Sequence, residues 1–218
     1  MTSEVEVCNI GLSNIRAGSI NSFTESSVQA QLCKLKYPIL RDRCLREIPW
    51  QFNHKIAALA PVTTDIFNWA YAYQYPTDCL KINRLVGAFE SIPAGSSAVA
   101  SRAADQSLLT LKDQRRQIPY EVFNYANNII IGSDQPDLRI DYAAKITDPN
   151  LFSDDFLMAL SHLLSSELAV PIVGAELGRA LRNDSLQLYK QYLNSAIATD
   201  MNDQYFTPQE SDFVSIRN

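Results

Sequence analysis

The chain has 218 residues, 46% of them hydrophobic and 20% charged, and a formal net charge of −5. This near-average globular composition excludes wholesale disorder, collagen-like repeats and a disulfide scaffold, and a chain this long can bury roughly 70% of its unfolded surface. The charge is uneven: residues 1–118 carry 13 bases and 10 acids, residues 119–218 carry 6 and 14, a balance that argues against nonspecific nucleic-acid binding.

Glu4 and Glu6 stand where a signal peptide would carry bases, and no window approaches the ~20 apolar residues of a membrane helix, so a soluble chain is expected. Ser3 and Glu6 form a capping box, after which Val5, Cys8, Leu12 and Ile15 recur at helical spacing, with Gly11 ending or loosening the helix. Ser26 and Gln29 repeat the capping pattern, and Val28, Leu32, Leu35 and Ile39 then make one apolar stripe. Pro38 predicts a kink or break, because it removes a donor and crowds the carbonyl of Lys34. Residues 41–48 resume helically until Pro49.

The period then changes. Phe67, Trp69, Tyr71, Tyr73 and Tyr75 alternate with Asn68, Ala70, Ala72 and Gln74, a strand with one aromatic face that Pro76 ends. Leu80, Ile82 and Val86 mark another strand, as do residues 129–131 and the alternation of Leu138, Ile140 and Tyr142. Residues 50–149 read as a β-rich unit, interrupted by an Ala/Ser-rich projecting segment, 91–119, that ends in Lys112, Arg115 and Arg116.

Helices return with a hydrophobic staple of Phe152 and Leu157 around the cap Ser153, and Asp154 and Asp155 at the positive end of the dipole. Phe156, Leu160, Leu163, Leu164 and Leu168 form its apolar face. Beyond Pro171 and Gly174, Leu177, Leu181, Leu188 and Tyr192 keep the helical period, with Leu193 and Ile197 beside them. An unbroken helix over 175–201 would span about 40 Å, with 183–185 the expected place for a break. The tail, 202–218, is polar and acidic yet holds Tyr205, Phe206, Phe213, Val214 and Ile216, which predicts docking on its own domain or on another chain. The whole is an α+β pattern: helices over 1–49 and 150–201, an inserted β-rich domain, and a C-terminal tail.

Motifs for chemistry are sparse. Cys8, Cys33, Cys44 and Cys79 match no zinc or CxxC spacing and read as free thiols. His162 on an apolar helix reads as structural, and no nucleophile elbow or phosphate-binding glycine loop occurs. Carboxylates cluster at Asp154 with Asp155, and at Asp134, Asp137 and Asp141, the former fitting a helix cap and the latter a turn; a carboxylate-pair hydrolase remains the reading from a different class. The aromatic strand could stack bases, but without interleaved Lys or Arg it reads as core. No catalytic residue, cofactor or metal is expected.

Three stretches in order resemble a known family: 22–26 leading to 41–52; 71–80; and 140–149 followed by 156–171. Together they resemble the tail tubular protein A, or head-to-tail adaptor, family of short-tailed podophages, over roughly residues 5–200. The resemblance implies a non-enzymatic virion protein, a helical adaptor fold with an inserted β-rich domain. Its copies would form a dodecameric ring between the portal and the tail nozzle (a tail tubular protein B-like partner), in the virion tail after assembly in the host cytoplasm. DNA would pass through the lumen without sequence-specific binding, repelled by acids of the second half, on or near the long last helix, over about a Debye length, ~8 Å. Lys112, Arg115, Arg116, Tyr205, Phe206, Phe213 and Ile216 are the expected partner-binding residues, with Phe206 and Phe213 docking on the portal. Pro38 and the length of 91–119 depart from the family pattern. Another neck or head-completion protein is the runner-up.

Overall fold

A computed structural model describes residues 2–48, 50–64, 68–87 and 118–202, with the side chains of 200–202 excepted. It is an α+β protein, with helices α1 (Glu4–Asn14), α2 (Val28–Glu47), α3 (Asp154–Val173) and α4 (Ala175–Asn202). Strands β1 (His54–Ala58), β2 (Pro61–Val62), β3 (Tyr71–Gln74), β4 (Cys79–Gly87), β5 (Glu121–Tyr125), β6 (Asn128–Ser133) and β7 (Leu138–Ala144) form two antiparallel sheets. The chain divides into a helical unit, drawn from Met1–Arg41 and Asp148–Asn218, and a second unit, Asp42–Thr147.

The helical unit is organised on α3. Ser153 caps it by accepting from the Phe156 N–H, and Phe156, Leu160, Leu163, Leu164 and Leu168 are all fully buried. The Phe152 ring packs on that of Phe156, 4.8 Å away, one residue short of the Leu157 expected for the staple. By length and a mean hydropathy of 1.6, α3 could cross a membrane, contrary to the expectation from apolar runs; here its apolar surface is spent on the core. Pro171 lies inside the last turn, and the helix ends at Gly174, whose φ of 100° is left-handed.

The capping box of α1 forms as expected, Ser3 Oγ accepting from Glu6 N and Glu6 Oε2 from Ser3 N. Val7, Cys8, Gly11 and Leu12 are its buried residues, with Val5 only half-buried. Gly11 does not end the helix. A Cβ there would stand 3.2 Å from both Leu164 Cδ2 and the Ser161 carbonyl oxygen, so its missing side chain sets how closely α1 approaches α3. Ser165 Oγ completes the crossing by donating to the Gly11 carbonyl at 2.8 Å.

Helix α2 starts one residue later than the capping pattern implied: Ser27 Oγ, not Ser26, accepts from Ala30 N. It runs through Pro38 without a break. Pro38 costs one backbone bond, and the surrounding turns hold by packing Ala30, Cys33, Tyr37 and Leu40 inward. Helix α4 is likewise unbroken across 183–185, with Ser185 buried. Twenty-eight residues make it about 42 Å long.

In the second unit, sheet order is β1-β7-β4 and β2-β3-β6-β5. Leu138, Ile140 and Tyr142 of β7 alternate inward as the sequence pattern required, joining Leu59, Tyr73, Leu85 and Ile131 in one core. The aromatic strand is shorter than expected and its face is not uniform: Tyr73 is buried, Tyr75 half-buried and Tyr71 exposed, while Asn68 turns left-handed (φ 76°) and residue 67 lies outside the described residues. Strands β1, β2 and β5 carry little alternation, and the sequence pattern did not mark them. β5 and β6 join through Ala126 and Asn127, both left-handed (φ 49° and 65°), the conformation a two-residue hairpin needs to match strand twist. Trp50, fully buried, donates from Nε1 to the Cys44 carbonyl, and Asn53 Nδ2 donates to Leu45, so two side chains satisfy carbonyls of the last turn of α2.

Candidate functional site

Helical amphipathicity normally turns the apolar stripe inward. In α2 the opposite holds. Ala30, Cys33, Tyr37 and Leu40 face the unit, and the stripe of the sequence faces out: Val28 is 58% exposed, Leu35 63% and Ile39 64%, with Leu32 half-exposed between them. Helix α4 behaves alike. Gly178, Ser185, Tyr189, Leu193 and Ala196 are buried, whereas Leu177 is 60% exposed and Leu188 is also exposed. Gly178 explains the choice: a Cβ there would lie 2.8 Å from the Ala169 carbonyl oxygen and 2.9 Å from Val170 Cα, so only glycine lets α4 seat this closely on α3.

An open groove of about 630 Å³ lies where α1 and α3 end, lined by Ile15, Arg16 and Ala17, by Ile172 and Val173 of α3, by Leu177 and Leu181 of α4, and on α2 by Gln29. On α2's inner flank Lys36 Nζ donates to Glu167 Oε2 (2.9 Å) and to the Glu167 carbonyl (3.0 Å), and Arg182 of α4 approaches the same carboxylate at 4.0 Å. That shared carboxylate fixes α2, α3 and α4 to one another while their outward apolar residues stay open.

The titratable groups of the second unit are held in structural pairs. Asp141 is nearly fully buried on β7. Burial alone would raise its pKa, but Asn83 Nδ2 (3.1 Å), Arg84 Nε (2.8 Å) and His54 Nε2 (2.7 Å) together hold the carboxyl below its usual range. Asp78 is lowered by Lys55 Nζ at 2.6 Å and by the Tyr142 hydroxyl donating at 2.9 Å. Asp134 Oδ1 accepts from Ala70 N, and Asp137 adopts a left-handed turn conformation (φ 52°). Asp78, Asp134 and Asp141 thus each bond to a different set of partners.

In the helical unit, burial pushes the His162 imidazole below its ordinary pKa; the ring stacks on Tyr192 at 5.1 Å and its Nδ1 lies 3.4 Å from Asn14 Nδ2. Cys8, Cys33, Cys44 and Cys79 are free thiols, the first three buried. Among the described residues no group of three or more His, Cys, Asp or Glu side chains is placed to hold a metal ion.

The expected partner-binding residues Lys112, Arg115, Arg116, Tyr205, Phe206, Phe213 and Ile216 lie outside the described residues. The long last helix is not acidic: Glu176, Asp184 and Asp200 are balanced by Arg179, Arg182 and Lys190. The outward stripes were visible in the sequence as stripes, but nothing in hydropathy said which way they point. Compared with known proteins, the chain matches no family model and no curated relative.

Proposed function

We propose that this protein is a non-enzymatic, ring-forming head-to-tail adaptor of a short phage tail, joining a portal to a tail nozzle and enclosing part of the DNA channel. The observation that carries the reading is the outward apolar surface of α2 and α4 on a helical unit whose core is already complete. Contiguous apolar surface of this kind marks protein–protein contact, and in a closed ring each copy presents two such surfaces to its sister subunits. The α+β layout, with a β-rich insertion between helices near both ends, accords with the resemblance on residues 5–200.

On this reading Val28, Leu32, Leu35 and Ile39 pack against a neighbouring copy, and the segments 91–119 and 203–218 reach the portal and nozzle. DNA passes the lumen without specific contacts. Electron microscopy of the purified chain mixed with portal tests it. Rings of twelve copies seated on portals are the expected outcome; a chain that stays monomeric with portal present, or that cleaves a glycan with measurable turnover, refutes it.

A further inference from the structure

We infer that residues 203–218 dock along the outward stripe of α2 in the same chain, covering it until assembly displaces them. The first ground is position. Thr199 Oγ1 of α4 donates to Asp155 Oδ2 at the start of α3 (3.2 Å), Thr2 N donates to Asn150 Oδ1 just before it (2.9 Å), and Glu4 of α1 pairs with Arg41 of α2 (3.2 Å). The last turn of α4 therefore lies at the same end of the helical unit as Ile39 and Arg41. Val28 lies at the other end, where Gln29 Nε2 donates to the Ala17 carbonyl beyond α1.

The second ground is reach. The stripe from Val28 to Ile39 is about 17 Å long at 1.5 Å per residue. Sixteen residues follow Asn202 and extend up to about 50 Å, so the segment can start beside Ile39 and pass the whole stripe.

The third ground is chemistry. The stripe is apolar and flanked by exposed Lys34. Residues 203–218 supply Tyr205, Phe206, Phe213, Val214 and Ile216, with Asp203 before them, Glu210 and Asp212 between them and Arg217 after, a net charge of −2 from three acids and one base. Aromatic rings in that number bury more apolar area than a solvating tail has reason to carry. Acids beside them match the lysine. Docking in cis also keeps three exposed aliphatic residues from pairing free subunits before a portal is present. It is a property of the isolated chain, so its failure leaves ring assembly untouched, and failure of the adaptor reading leaves it untouched in turn.

A fluorescent peptide of residues 203–218 is titrated against three full-length proteins: the native chain, F206S/F213S, and F206S/F213S carrying L35D/I39D. The peptide should bind F206S/F213S saturably and the native chain about tenfold more weakly, since a stripe nine-tenths covered in cis is open one-tenth of the time. Adding L35D/I39D should abolish binding while circular dichroism stays unchanged; L35S/I39S is the milder variant if the charges disturb the helix. Equal binding to native chain and F206S/F213S, or binding that survives loss of the stripe, overturns the inference. So does a native chain that dimerises in sedimentation through residues 203–218, which would place the segment on a second copy.

Discussion

The close crossing of α3 and α4 makes Gly178→Ala the sharpest test of the helical unit. In an exposed helix the substitution gains about 1 kcal/mol of propensity. Here the new methyl would meet the Ala169 carbonyl oxygen at 2.8 Å, Val170 Cα at 2.9 Å and Ala169 C at 3.1 Å, all of them backbone atoms that cannot rotate away. Relief requires α4 to lift from α3, loosening Tyr189, Leu193 and Ala196. Overpacking costs roughly 1–3 kcal/mol, and contacts under 3 Å to fixed backbone atoms put this one at the upper end, before the propensity gain of about 1 kcal/mol is subtracted. The expected net loss is about 1–2 kcal/mol, a fall in Tm of about 3–6 °C at this chain length. Thermal melts followed at 222 nm report mainly the helices. Gly11→Ala is the internal comparison: its nearest contacts are 3.2 Å and one is the end of the Leu164 side chain, so it should lose less. A Gly178→Ala chain as stable as the native one, or more so, would show that the helices are not in backbone contact and would refute the reasoning.

Four further outcomes follow from the geometry. Asp141→Asn strips the charge from a buried carboxylate bonded to His54, Asn83 and Arg84, and should cost about 2 kcal/mol by urea denaturation. Because the folded carboxyl of Asp141 is held below its unfolded value, its contribution is present above about pH 4 and is lost as pH falls through the folded value; melts between pH 6 and pH 3 should flatten in Asp141→Asn. His162 follows the same sign in a higher window: its folded pKa is depressed, so the unfolded chain takes up a proton first and stability declines as pH drops below about 6.5, a slope that His162→Phe should remove from the Tm profile between pH 7.5 and 5.5. L35D/I39D should leave the helical circular dichroism of the chain unchanged, both side chains lying outside the core, yet abolish rings on portals in electron micrographs.

The elements were largely legible. Ser3 with Glu6, Ser153 ahead of the leucine-rich helix, and the alternation of Leu138, Ile140 and Tyr142 are local signals, written in bonds and periods that span a few residues, and each forms as the sequence required. The weaker strands β1, β2 and β5 had no such signal. They owe their conformation to ladders with β7, β3 and β6, which are contacts far apart in sequence. Pro38 reads as a kink or break and residues 183–185 as a break for sound local reasons, and both helices run through these positions without a break.

Sequence alone determined that this chain would be an α+β protein with capped helices near its ends and strands between them, because caps and periodicity are properties of neighbouring residues. The direction of each helical face was decided only in three dimensions. Apolar residues mark a stripe, but small residues decide close approach: Gly11 and Gly178 admit a neighbouring backbone where any side chain would hold it off. Helix α4 accordingly buries Gly178 and Ser185 and leaves Leu177 and Leu188 to solvent, and α2 buries Ala30 and Cys33 and leaves Val28, Leu35 and Ile39 outside. For α4 the backbone fit at Gly178, which no hydropathy pattern contains, left Leu177 and Leu188 on the outside; for α2 the burial of Tyr37 and Leu40 left Val28, Leu35 and Ile39 there.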